Sequence, residues 1–225
     1  MIPSERYGAI DIGSNAVRLL LSEAFETDSG PYFRKISLIR MPIRLGKDAF
    51  IQGKISKDKA KRLTRTIQGF RHLVDAYRPL DFQACATSAM REAANGQKIC
   101  KQILAETGVA IRIISGKEEA RTIFANNSWS HLPKESAWLF VDVGGGSTEI
   151  TIYANGKSVS RSFGIGTIRL LENLVHKSRW REMKAWIQDH TRHYASIDAV
   201  AAAATSTRSS SWPNAPTAGR SPGAR

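Results

Sequence analysis

The chain has 225 residues, enough for one large or two small domains, and its 42% hydrophobic and 24% charged residues are ordinary for a soluble globular protein. A formal net charge of +13 is not ordinary and points to a polyanionic partner: nucleic acid, an anionic surface or a phosphate polymer. The two cysteines, Cys85 and Cys100, make no disulfide framework and favour a reduced, cytoplasmic setting; no apolar run nears the roughly 20 residues of a membrane span, and the start lacks the apolar core of a secretory signal.

In chain order, Tyr7 to Ile12 is a short apolar run that ends in Asp11-Ile12-Gly13-Ser14-Asn15. A second apolar run, Ala16 to Ala24, follows, with Arg18 the only charge before Glu23. This pattern predicts strand, small-residue turn, strand. Tyr32 to Leu45 continues as a β-rich segment interrupted by Pro42, and Gly46 and Gly53 bracket an expected polar loop. Ser56 caps a helix to about Tyr77, because Ala60, Leu63, Ile67, Phe70, Val74 and Tyr77 recur by three and four. Phe82 to Thr87 reads as a buried strand leading to Arg91, whose planar fork suits a phosphate but equally suits a surface helix turn. Gln97 to Glu106 is a helix stopped by Gly108, and Ala110 to Ile114 is another strand. A helix then opens at Ser115 or Gly116 and carries Glu118 and Glu119 in its first turn. Acids there complement the helix dipole; one of them could also present a general base at the edge of a cleft.

A polar link, Leu132 to Ser136, precedes the run Val141-Asp142-Val143-Gly144-Gly145-Gly146-Ser147-Thr148-Glu149-Ile150. Glycines and small residues between two β-rich runs predict a hairpin whose backbone N–H groups can converge on an anion. Asp142 and Glu149, as acceptors only, suit a divalent cation or a water beside that anion. The Asp–β-branched–Gly pattern repeats the one at Asp11, so the same device occurs twice, suggesting two related lobes facing one cleft. Asn155-Gly156 marks a tight turn before a strand from Ser158 to Phe163. A helix from Gly164 to Leu174 and another from Arg179 to Tyr194 follow, the second with Trp180, Met183, Ile187 and Tyr194 on its inner side. His190 and His193 lack a third ligand and read as solvated. Residues 199–225 hold no Asp, Glu, Lys, Leu, Ile, Phe or Met, and a disordered low-complexity tail is expected there.

The sequence resembles the exopolyphosphatase and guanosine pentaphosphate phosphohydrolase family of the actin-like ATPase superfamily. Four motifs carry the resemblance in the family's order: Ala9 to Asn15, Ala86 to Arg91, Ile114 to Arg121, and Val141 to Glu149. The resemblance implies an α/β fold of two ribonuclease-H-like lobes around a central cleft: residues 1–130 as the first lobe and 131–198 as a partial second lobe. It implies magnesium-dependent hydrolysis of terminal phosphate from polyphosphate, or of the 5′-phosphate of guanosine pentaphosphate. Carried over, Gly13, Ser14, Asn15, Gly144, Gly145, Gly146 and Ser147 hold phosphate together with Arg91. Glu119, or its neighbour Glu118, handles the attacking water. Asp142 and Glu149 serve metal and water, and Asp11 matches the acid of the first turn, a metal ligand.

The resemblance implies a second lobe continuing past Asp198 through another glycine-rich segment, so the ending reads as a truncated or frame-shifted product, with a genuine short variant as the alternative. That motivates a second reading, a non-catalytic binder of polyphosphate or nucleotide. No membrane partner is expected, no aromatic-studded basic patch favours nucleic acid, and a homodimer is left open.

Overall fold

The computed structural model describes residues 4–28, 30–125, 137–194 and 197–203. β1 (Ser4–Ile12) and β2 (Val17–Thr27) form a hairpin with Ile12 opposite Val17, and β3 (Gly30–Met41) extends it antiparallel to β2. Alternation buries Ile10, Ile12, Leu19 and Leu21, which face one side of the pleated sheet. The polar loop expected between Gly46 and Gly53 is a helix, α1 (Leu45–Gln52), which buries Leu45 and Ala49 and ends at Gly53 with φ +68°. Its two turns are too short for the apolar periodicity to stand out between flanking glycines.

The long helix α2 (Lys57–Tyr77) forms as expected: Ser56 Oγ accepts from Lys59 N–H at 3.4 Å, and Leu63, Ile67, Phe70 and Val74 are buried. Each such side chain contributes about 1.5–3 kcal/mol by leaving water. β4 (Asp81–Ala86) lies parallel to β1; α3 (Ser88–Glu92) and α4 (Gly96–Thr107) follow; β5 (Ile111–Ile113) lies parallel to β4. The first sheet thus runs β3-β2-β1-β4-β5.

After α5 (Gly116–Ala125), β6 (Ala137–Val143), β7 (Thr148–Ala154) and β8 (Lys157–Phe163) make an antiparallel meander. Asn155 (φ +51°) and Gly156 (φ +73°) form its tight turn. α6 (Thr167–Leu171), shorter than expected, and α7 (Lys177–Thr191) lead to β9 (Ile197–Ala203), parallel to β6. The second order, β8-β7-β6-β9, repeats the first four positions of the first sheet, and Asp142-Val143 ends β6 as Asp11-Ile12 ends β1. Among the described residues the second sheet has four strands where the first has five.

Three expectations are corrected. Residues 199–203 belong to β9, not to a tail: each pairs with β6, and the ladder uses backbone groups that alanine supplies as well as any residue. Residues 204–225 and the link at Leu132 to Ser136 lie outside the described residues. α5, expected within the first lobe, packs mainly on β7 and β8, with Phe124 against the rings of Phe140 (5.3 Å) and Tyr153 (5.7 Å), and meets the first lobe through Glu118 to Arg112 and Glu119 to Arg91. On α7, Met183, Trp186 and Ile187 face the second core, while Trp180 is exposed.

Candidate functional site

The two hairpin tips share one backbone pattern. Gly13 N–H donates to Ala16 O at 3.0 Å, and Gly144 N–H donates to Ser147 O at 2.9 Å. The carbonyls inside each tip are held by the start of a helix. In the first, Ser14 O accepts from Gly46 N–H (2.8 Å) and Asn15 O from Arg44 N–H (2.9 Å) at the entry to α1. In the second, Gly144 O accepts from Thr167 N–H (3.0 Å) and Gly145 O from Ile168 N–H (2.9 Å) at the entry to α6. Gly146 O accepts from the side chain of Arg169 at 2.7 Å. In a trans peptide the carbonyl points opposite to the following N–H. The N–H groups of Asn15 and Ala16, and of Gly145, Gly146 and Ser147, therefore turn away from the helices, the arrangement of an anion-binding concavity.

Both tips border one cleft of about 880 Å³, whose walls include Gly13, Ser14, Asn15, Gly144, Gly145 and Ser147 with Asp11, Glu119, Asp142 and Glu149. None of Gly13, Gly144, Gly145 and Gly146 is among the residues with positive φ, and at Gly146 the reason for glycine is room. A Cβ on Gly146 would lie 2.3 Å from Phe50 Cζ and 2.4 Å from Ser88 Oγ, both in the first lobe. Gly166 serves the same end: a Cβ there would meet Gly145 O at 2.5 Å and push α6 off the tip it holds.

Glu119 sits in the first turn of α5 with its side chain 15% exposed, and accepts from Arg91 Nη1 at 3.4 Å. Its pKa is pushed up to about 7, first by burial and then by the charge of Glu149; Arg91 opposes the rise. Glu149 is buried, accepts from Ser162 Oγ at 2.7 Å, and is raised chiefly by burial, with hydrogen bonds from Ser147 and Ser162 opposing. Asp142 and Asp11 are raised chiefly by burial too, with Arg18 opposing in both.

Four cleft acids and both tips are thus brought together. Glu118 is not: its carboxylate pairs with Arg112, and its backbone N–H donates to Ser115 Oγ at 3.1 Å, which caps the helix start. Arg91 reaches the site through Glu119, with its Nη1 also donating to Ile114 O at 2.7 Å. Asp11 accepts from Arg18 at 2.8 Å. Among the described residues no three His, Cys, Asp or Glu side chains converge as a metal cage. Asp142 and Glu149 are direct cross-strand partners, however. Magnesium commonly takes one or two carboxylates and completes its shell with substrate phosphates and waters, so this pair fits such an ion.

Sequence reasoning gave no role to Ser88, whose hydroxyl bonds Ser14 Oγ at 2.9 Å, or to Ser162, Phe50 and Arg169. Arg18 alone carried a signal, as the single charge in an apolar run.

Paired lobes of one sheet order, with a cleft between their hairpin tips, define the actin-like ATPase fold. Solved structures agree on this fold. An exopolyphosphatase from Cytophaga hutchinsonii superposes with a TM-score of 0.71 at 24% identity, over 88% of this chain and 66% of that one. A Ppx/GppA family member from Aquifex aeolicus gives 0.68 at 24% identity, over the same 88% and 66%. The Ppx/GppA phosphatase family model matches residues 25–205, and the chain belongs to that family. Exopolyphosphatase 1 of Mycobacterium tuberculosis is 33% identical over 147 residues, which are 65% of this chain and 42% of that protein. A bifunctional 3-dehydroquinate synthase/phosphatase of Fusobacterium nucleatum is 29% identical over 199 residues, 82% of this chain and 30% of that one. The chain therefore spans less than half the length of these curated relatives.

Proposed function

We propose that this chain carries the phosphoanhydride-hydrolysing site of an exopolyphosphatase, removing terminal phosphate from inorganic polyphosphate with magnesium. The observation that carries the reading is Glu119: a carboxylate with a pKa of about 7 that lines the cleft bordered by both hairpin tips. A base is most useful when its pKa lies near the working pH. Phosphoryl transfer needs positioning and charge stabilisation more than covalent help. The N–H groups of the two tips would cradle neighbouring phosphates and fix the terminal one. Glu119 would orient a water and accept its proton, with Arg91 keeping the carboxylate turned inward. Asp142 and Glu149 would hold magnesium, which when bound offsets phosphate charge. Arg18, Lys35 and Arg112 also border the cleft and favour a long anion, as does the charge of +13.

The finer choice between polyphosphate and guanosine pentaphosphate is settled by offering both. The purified chain should release phosphate from polyphosphate with magnesium and stop when the metal is chelated. Release from guanosine pentaphosphate alone would change the substrate, and tight binding with no release from either would favour the non-catalytic reading.

A further inference from the structure

Arg169 lies outside the walls of the cleft, yet it ties three segments together. Its Nε donates to Gly146 O at 2.7 Å, the third carbonyl of the second tip. Its Nη2 donates to the carboxylate of Glu92, on the first-lobe helix that also carries Arg91. Its guanidinium lies 3.9 Å from the centroid of Phe50, on α1. The Arg169 side chain is 14% exposed, while its Glu92 partner is 42% exposed, at the rim of the lobe contact. The first two carbonyls of the tip are held by backbone N–H groups of α6, from the same lobe. Only the third is held by a side chain that simultaneously grips the other lobe.

We propose that Arg169 is a positioning residue that couples closure of the two lobes to the orientation of the Ser147 N–H. The reasoning rests on the phosphate-cradling role proposed for that tip. Holding Gly146 O on the α6 side points the Ser147 N–H to the opposite side, because both belong to one peptide unit. If the lobes part, Arg169 loses Glu92 and Phe50. A planar guanidinium that has lost two of its three partners keeps the carbonyl less firmly, and the peptide is freer to turn. Substrate bound across both tips would favour the closed arrangement, and the closed arrangement would favour an aligned Ser147 N–H. By linkage the two effects reinforce each other equally.

The test separates the lobe contact from the carbonyl contact, using the full chain with tripolyphosphate as probe. With tripolyphosphate bound, Arg169→Gln should speed amide hydrogen exchange at Ser147, and it should weaken tripolyphosphate binding about tenfold, while exchange in β1 and β4 stays unchanged. Glu92→Gln should loosen the lobes, seen as a larger radius of gyration, with a smaller loss of binding. The charge swap Arg169→Glu with Glu92→Arg should restore the compact radius but leave Ser147 exchange fast, because a glutamate cannot donate to Gly146 O. Arg169→Lys serves as a milder variant should Gln impair folding, with an intermediate loss of binding expected. Unchanged Ser147 exchange and binding in folded Arg169→Gln or Arg169→Lys would overturn the proposal, as would full recovery of both in the swap. Exchange and binding are read without turnover, so an inactive chain would count against hydrolysis and leave this coupling standing.

Discussion

Asp11 faces Arg18 across the first hairpin, and at the same register of the second Asp142 faces Glu149. The backbone tips they flank close with the same bond, Gly13 N–H to Ala16 O and Gly144 N–H to Ser147 O, but differ at the third carbonyl, which takes a backbone N–H at Asn15 and the Arg169 side chain at Gly146. One position has therefore become a cation in one lobe and an acid in the other. The first hairpin has its acid neutralised within the protein, while the second leaves two partly desolvated carboxylates side by side, which invites a cation. Glu149 also acts at a distance, since its charge is the largest influence after burial that raises Glu119. On the proposed reading, a difference of one residue type per hairpin would leave the first tip to hold anion alone and give the second metal binding and base tuning as well.

That comparison can be broken at several points. The largest effect is expected from Glu119→Gln, which should lower turnover by about 10²–10⁴-fold while tripolyphosphate affinity holds, in paired kinetic and calorimetric runs. Unchanged turnover would remove the base from α5. Gly146→Val comes next: its side chain must displace Phe50 or Ser88, and thermal melts should show a loss of about 1–3 kcal/mol, the usual cost of overpacking. An equal loss at Gly13→Val would erase the contrast between the tips, since a Cβ at Gly13 meets only Ala16 O at 3.2 Å and Asp11 Oδ2 at 3.9 Å.

The pH dependence carries a defined sign. Glu119 is raised from 4.5 to about 7, so between those values the folded chain holds a proton that the unfolded chain has lost. Its contribution is present at pH 4.5 and is lost as pH rises through 7. Relative to Glu119→Gln, the parent chain should therefore lose roughly 1–3 kcal/mol between pH 4.5 and pH 8, read from denaturant unfolding at each pH. Glu149→Gln should move the acid limb of kcat/KM to lower pH, because a charge that raises Glu119 is gone, and Arg91→Gln should move it higher. Shifts in one common direction would contradict the assignment of these neighbours. The smallest effect is expected for Ser162→Ala, about 1 kcal/mol in stability from the lost hydrogen bond to Glu149.

Much of this arrangement is legible in the sequence because it is local. Alternation in Ile10 to Leu21, the stripe of Leu63, Ile67, Phe70 and Val74, and the Asn155-Gly156 turn each follow from spacing within a few residues. The repeated Asp–β-branched–Gly pattern also announced that two tips should meet. What escaped is non-local. β9 ends in alanines whose strand character comes from its partner β6. α1 is two turns long and is recognised by what it covers. Glu118 and Glu119 are adjacent, so spacing alone does not separate them; the family resemblance favours Glu119, and α5 turns that one to the cleft. Arg169 joins Gly146, Glu92 and Phe50, three places that no window of sequence contains.

The most direct test is an amide NMR titration of the chain with tripolyphosphate and magnesium. The N–H resonances of Asn15 and Ala16 should shift together with those of Gly145, Gly146 and Ser147, along one binding curve. Shifts confined to one tip, or saturating at different concentrations, would contradict a single phosphate chain gripped by both.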